Sequence, residues 1–218
     1  MRVLVTGGAG FLGSYVVEHL VNKGGNEIIV IDNLSSGNYG FIREYVEDGS
    51  IRFVKADLKV LDESLINEFK DVEVVIHLAA NPEVRISTTH PRIHFNENVL
   101  VTFNVLEACR LSNVKLIVFT SSSTVYGDAK TLPTPEDYTP LEPISVYGAS
   151  KLAGEGYCSA YFRTYGVETV ALRFGNVYGP GSNHKNSVIA IFIRQAKKGE
   201  DWEIYGDGNQ TRDFIYID

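Results

Sequence analysis

Arg2-Val-Leu-Val-Thr-Gly-Gly-Ala-Gly-Phe-Leu-Gly-Ser14 is the stretch that decides the fold. An apolar run, Arg2–Thr6, passes directly into a glycine-rich turn and then into Phe11–Lys23, whose spacing reads as a helix. Gly7, Gly10 and Gly13 form a G-x-x-G-x-x-G pattern. Glycines so placed serve a tight turn, close approach of backbone to a pyrophosphate, and close packing of helix on strand. The helix start adds free N–H groups and partial positive charge for the phosphates. A strand before and a helix behind separate this reading from an ordinary tight turn.

Outward from that stretch, short apolar runs alternate with helix-length segments. Glu27–Asp32, Ile51–Lys55, Glu73–His77, Lys115–Thr120 and Glu168–Leu172 read as further strands. Helical patterns lie near 61–70, 93–112 and 146–165. Continuously apolar strands separated by helices predict a parallel sheet covered on both faces. The fold class is α/β, a doubly wound parallel sheet (Rossmann fold), with its ligand at the carboxyl ends of the strands. After residue 175 the texture changes. A Gly- and Asn-rich loop over 175–186 precedes a helix, Ser187–Lys198, and a short strand, Phe214–Ile217. Residues 1–175 thus read as the dinucleotide-binding domain and 176–218 as part of a substrate-binding region.

Composition narrows the classes of function. Of the 218 residues, 44% are hydrophobic and 22% charged, which argues for a globular chain rather than disorder. A formal net charge of −7 speaks against a surface that coats nucleic acid. No apolar run approaches the roughly 18 residues of a membrane span, and none resembles a targeting segment. Cys109 and Cys158 are too few for a disulfide framework or a four-cysteine zinc site, and a reduced, cytoplasmic protein is the natural reading. The histidines show no ligand spacing, so no metal site is expected.

Three further signals point to chemistry. Asp32 ends the second strand, where a carboxylate accepts from adenosine ribose hydroxyls and repels a 2′-phosphate. Asn33 follows it, not a cation, so NAD is expected over NADP. Asp57-Leu58 follows the third strand, where Asp57 is placed to accept from an adenine amino group. His77-Leu78-Ala79-Ala80 ends the fourth, and its small residues let a flat ligand approach the sheet. His77 itself reads as a structural histidine. Tyr147 and Lys151 stand four apart and share a helix face. A nearby ammonium favours the phenolate, as does a nicotinamide cation, and the two together are expected to supply the roughly 4 kcal/mol that moves a tyrosine from its usual 10 down about three units. The hydroxyl run Thr120–Thr124 follows the fifth strand, where a serine would hydrogen-bond the oxygen that Tyr147 deprotonates.

These residues resemble the extended short-chain dehydrogenase/reductases, the NAD-dependent epimerase/dehydratase group. The carriers are TGGAGFLGS at 6–14, Asp32-Asn33, Asp57-Leu58, HLAA at 77–80, SSSTVYG at 121–127, YGASK at 147–151, RFGNVYGPG at 173–181 and RDFIYID at 212–218. Within the group the chain looks most like the UDP-glucose 4-epimerases. The resemblance implies Tyr147 as general base, Lys151 as the residue that orients the nicotinamide ribose and lowers the tyrosine pKa, and Ser122 as third catalytic residue. It implies NAD held by Gly7, Gly10, Phe11, Leu12, Asp32, Asn33, Ser35, Ser36, Gly37, Asp57, Leu58, Leu78, Ala79, Ala80, Asn98, Tyr147, Lys151 and Phe174. It implies a nucleotide-sugar substrate, a UDP-hexose, contacted by Ser122, Asn176 and Arg212.

The same comparison discriminates among reactions. The 4,6-dehydratases of the group carry an Asp-Glu pair where this chain has Ser123-Thr124, and the decarboxylases carry Glu at the position of Thr124. Those reactions need a second acid or base, so epimerisation or simple 4-reduction is expected. A non-enzymatic NAD-binding module is the other reading. Members of the group continue beyond RDFIYID, so the chain reads as C-terminally truncated, with weak sugar-nucleotide binding and slow turnover expected. A homodimer through the helices near 93–112 and 146–165 is also implied.

Overall fold

The computed structural model describes residues 1–182 and 186–218. They divide into two compact units, Met1–Arg173 and Phe174–Asp218. The first unit opens with β1 (Arg2–Thr6), α1 (Phe11–Lys23), β2 (Glu27–Asp32), α2 (Arg43–Glu47), β3 (Ile51–Lys55), α3 (Glu63–Glu68) and β4 (Val74–His77). Next come α4 (Pro91–His94), a π-helical turn (Phe95–Leu100) and α5 (Val101–Leu111), which follow one another without a break. Then follow β5 (Leu116–Ser122), a 3₁₀ turn (Ser123–Tyr126), α6 (Val146–Tyr165) and β6 (Glu168–Phe174), within which the first unit ends at Arg173.

The six strands lie in the order β3-β2-β1-β4-β5-β6. The pairs β1/β2, β1/β4, β2/β3 and β4/β5 are all parallel. The chain winds outward from β1 to β3, then returns to place β4 on the other side of β1. That reversal opens a crevice at the carboxyl ends of β1 and β4. Strand residues alternate between two cores. Leu4, Ile29, Ile31, Val75, Ile117 and Phe119 pack with α3, α5 and α6, whereas Val3, Val5, Ile28 and Val30 pack with α1 and α2. Burial on both faces is why these strands read as unbroken apolar runs. The edge strand β6 differs, because Val170 and Leu172 are exposed.

Four other elements depart from expectation. The helix expected over 61–70 is α3 alone, started by Asp62, whose Oδ1 accepts from Leu65 N at 2.8 Å. The helix expected near 93–112 begins at Pro91 and contains the π turn. The last strand of the chain ends at Tyr216. The loop expected over 175–186 contains a strand, β7 (Asn176–Tyr178), and its residues 183–185 lie outside the described ones. In the second unit β7 pairs in parallel with β8 (Phe214–Tyr216). There α7 (Val188–Lys198) ends at left-handed Gly199, and Trp202 stacks on Phe192 with ring centroids 5.2 Å apart.

Candidate active site

The loop between β1 and α1 is shaped by what its glycines leave out. Gly7 has φ +71°, and a Cβ there would stand 2.7 Å from Ala79 N. A Cβ at Gly13 would stand 2.1 Å from Gly7 O, so the first turn of α1 rests directly on the loop. Gly10 is different: its Cβ would meet only Gly7 O, at 3.1 Å, with open space beyond. Gly10 is also the N-cap of α1, offers no side-chain cap, and no acid follows in the first turn, where Phe11 and Leu12 stand. The positive end of α1 is therefore left for an anion brought against bare backbone.

Asp32 stands beside this loop at the end of β2 and is buried. Its Oδ2 accepts from Ala9 N at 3.0 Å and its Oδ1 from Leu34 N at 2.8 Å. Each oxygen keeps a lone pair for a hydroxyl. Asn33 Oδ1 accepts from Ser35 N at 2.9 Å, Ser36 lies in the same bend, and Asn38 N donates to Ala9 O at 2.8 Å, which folds this segment onto the glycine loop. Gly37 lies so near Asp32 that a Cβ would stand 2.9 Å from Oδ1. Asp57 pairs with Lys59 Nζ at 3.3 Å, and the carbonyl of buried Leu58 accepts from Asn104 Nδ2 at 2.9 Å. An open glycine, an uncapped helix start and a fixed carboxylate together fit a dinucleotide.

Across the crevice, Leu78 N donates to Thr6 O at 3.1 Å and Ala79 N to Thr6 Oγ1 at 3.3 Å, so the segment through Ala80 leaves the sheet along the glycine loop. His77 is buried between Thr6 Oγ1 (2.7 Å) and Thr102 Oγ1 (3.1 Å). Burial, and secondarily the charge of Lys151, pushes its pKa down to about 3, so it is a neutral structural residue. Asn98 lies on the π turn, 2% exposed, with both ends of its amide engaged. Its Oδ1 accepts from Asn81 N at 2.7 Å and its Nδ2 donates to Ser150 Oγ at 2.9 Å. Asn98 therefore ties the 78–81 segment to α6.

The third group comes from α6 and β5. Ser145 caps α6 by accepting from Gly148 N at 3.0 Å, and Tyr147 N donates to Ser87 Oγ at 3.2 Å. Lys151 is buried and donates to Thr120 O at 2.7 Å, with Nζ 6.0 Å from the centre of the Tyr147 ring. Burial pushes the Lys151 pKa down to about 8. Ser122 Oγ accepts from Thr124 N at 3.2 Å and from Thr124 Oγ1 at 2.9 Å. With both lone pairs taken, its own proton is left to donate. Tyr147 stands one turn before Lys151 on the same helix. Burial raises its pKa, and the Ser122 hydrogen bond lowers it less than burial raises it.

Phe174, Asn176 and Arg212 belong to the second unit, where Asn176 Nδ2 donates to Asp213 O at 3.1 Å and Arg212 to Thr211 O at 2.8 Å. Sequence reasoning missed Ser87, Thr124 as the donor to Ser122, and a Glu155–Arg173 ion pair of 2.8 Å behind the serine run. Only Glu155 carried a signal, one further turn along the face of Tyr147 and Lys151.

Residues 3–218 match the model of the NAD dependent epimerase/dehydratase family. The UDP-glucose 4-epimerase of Mycolicibacterium smegmatis is 39% identical over 222 residues, covering 100% of this chain and 70% of that protein. A crystal structure of a UDP-galactose 4-epimerase is 48% identical, with a TM-score of 0.83, covering 100% of this chain and 68% of the other. The UDP-glucose 4-epimerase of Thermus thermophilus, solved in complex with NAD, is 39% identical with a TM-score of 0.88, covering 100% and 71%.

Proposed function

We propose a reaction from one premise: the chain belongs to the NAD dependent epimerase/dehydratase family. Its cofactor is NAD. The reaction we assign is 4-epimerisation of a UDP-hexose, interconverting UDP-glucose and UDP-galactose through a 4-keto sugar. Bound NAD would take hydride from sugar carbon 4 and return it to either face. Tyr147 removes the 4-hydroxyl proton and later restores it. Ser122 donates a hydrogen bond to the same oxygen, and Lys151 supplies positive charge behind the phenol. The glycine loop, Asp32 and the Leu78–Ala80 segment hold the dinucleotide. Phe174 on the cofactor, and Asn176 and Arg212 on the sugar nucleotide, complete the assignment.

The observation that carries this reading is the hydrogen-bond set at Ser122. Thr124 fills both acceptor positions of Ser122 and offers no carboxylic acid of its own. Dehydration needs a second acid or base, and a threonine hydroxyl does not serve as one near neutral pH. Incubation with UDP-glucose and, separately, UDP-galactose, with and without added NAD, tests it. Interconversion is expected, and a slow rate suffices. A 4-keto-6-deoxy product, or stoichiometric consumption of NADH by a 4-keto substrate, would sink it.

We further assign a homodimer and a cytoplasmic location. Phe103, Tyr157 and Tyr165 are exposed on the joint face of α5 and α6, with Phe103 5.7 Å from Tyr157 and Tyr161 5.1 Å from Tyr165. A contiguous aromatic face of this kind favours burial against a second copy. Sedimentation should find a dimer, and Phe103→Glu should weaken it on the order of 100-fold by burying an unpaired charge. A monomeric parent chain would remove the assignment. Cys109 and Cys158 are buried free thiols, which suits a reducing compartment. No helix among the described residues is long and apolar enough to cross a membrane.

A further inference from the structure

The end of β5 meets one face of α6 at three successive residues. Thr120 O accepts from Lys151 Nζ at 2.7 Å, Ser121 Oγ donates to Glu155 Oε1 at 2.5 Å, and Ser122 stands near enough to the Tyr147 phenol to work toward lowering its pKa. Residues 147, 151 and 155 are spaced one turn apart, so the three points lie along a single helix face. The first and third involve residues already assigned to the reaction. Glu155 has no role in it so far.

Glu155 is held unusually firmly. Arg173 Nε donates to Oε1 at 2.9 Å and a terminal nitrogen to Oε2 at 2.8 Å, a two-pronged pair. The other terminal nitrogen donates to Glu136 O at 2.9 Å. The guanidinium also lies 4.8 Å over the ring of Tyr126, the last residue of the turn that carries Thr124. Burial works to raise the Glu155 pKa, but Arg173 and Ser121 outweigh it, so the carboxylate stays charged. One arginine thereby fixes both supports of Ser122: the strand end through Glu155 and Ser121, and the Thr124 turn through Tyr126.

We propose that Glu155, clamped by Arg173, is a positioning residue that acts through Ser121 to hold Ser122 against the Tyr147 phenol. This rests on Tyr147 being the base. Its signature is electrostatic. A Ser122 proton aimed at the phenol favours the phenolate, so loosening the strand end raises the tyrosine pKa. A scaffold role alone would change the melting temperature and leave that titration in place.

The test is the titration of Tyr147 in the whole chain with NAD, followed by tyrosinate absorbance. The Tyr147 signal is the difference between each protein and the same protein carrying Tyr147→Phe. Glu155→Gln keeps an acceptor for Ser121 but weakens the clamp, and Ser121→Ala removes the tie while leaving the ion pair whole. Each is expected to raise the Tyr147 pKa by about one unit. The kcat for interconversion is expected to fall about tenfold with KM unchanged. An unaltered titration in Ser121→Ala overturns the proposal, whatever happens to thermal stability or to the folding of Glu155→Gln. Absence of sugar interconversion by the parent chain would count against the assigned reaction instead, since the titration does not depend on turnover.

Discussion

Tyr147→Phe is expected to lower the rate of UDP-galactose conversion by roughly 10³-fold, within the range for loss of a general base. NAD affinity should stay within about threefold of the parent, because the glycine loop, Asp32 and the Leu78–Ala80 segment are untouched. The substitution removes one oxygen and keeps the ring. The edge contact of that ring with His94, at 5.6 Å, survives. So do the Ser145 cap and the bond from Tyr147 N to Ser87, since both use backbone groups of the helix. What disappears is the phenol oxygen assigned to take the proton. The pH profile of the parent should carry the same imprint. Burial raises the phenol pKa, so the rate rises with pH as phenolate forms. Lys151, lowered by burial to about 8, is charged below that value and loses its charge as pH rises through it, which withdraws support from the phenolate. Initial rates against pH, with a fluorescence titration of NAD, decide the matter. A Phe variant that keeps more than a tenth of the rate would remove Tyr147 from the base's role.

Gly13→Ala should abolish detectable NAD binding and destabilise the fold by about 1–3 kcal/mol, the usual cost of overpacking. The added methyl would sit 2.1 Å from Gly7 O and 2.6 Å from Gly8 Cα. Both are backbone atoms of the loop, so no side chain can swing aside. The loop or the helix must move, and either movement spoils the cradle. Gly10→Ala is the informative companion. Its backbone is already extended, at φ −77° and ψ 174°, which alanine adopts freely, and its methyl meets only Gly7 O at 3.1 Å. Stability should change by under about 1 kcal/mol for so small a crowding, while NAD affinity falls at least tenfold, because the methyl occupies the space where phosphate would approach. Calorimetry and NAD titration on the two variants separate the effects. Undiminished NAD binding by Gly10→Ala would mean that the dinucleotide lies elsewhere.

Much of the fold was legible because buried parallel strands write themselves as unbroken apolar runs. β1, β2, β3, α1 and α6 occupy the residues their patterns predicted. Elements too short to show a period were not legible. β7 spans three residues inside a Gly- and Asn-rich stretch, and α2 spans five. At the site, the glycine loop, Asp32, Tyr147 and Lys151 stand at fixed spacings along the chain, so they announce themselves. Ser87 and Arg173 do not. Ser87 reaches Tyr147 across 60 residues, and Arg173 reaches Glu155 only because β6 lies next to β5. The depth of burial at Tyr147 was not legible for a related reason. Spacing on a helix gives the neighbour of a phenol, but not how deeply both groups are buried or where an ammonium points.

The π-helical turn at Phe95–Leu100 adds one residue to what would otherwise be a continuous α-helix. One residue corresponds to about 100° of rotation. Ahead of the turn His94 faces the Tyr147 ring, while beyond it Val101, Val105 and Cys109 face the core. A lineage that lost that single residue would regain an ideal helix and turn either His94 or the core residues toward the wrong neighbours. Small deletions should therefore be purged from this segment during descent, even though they would improve its local geometry.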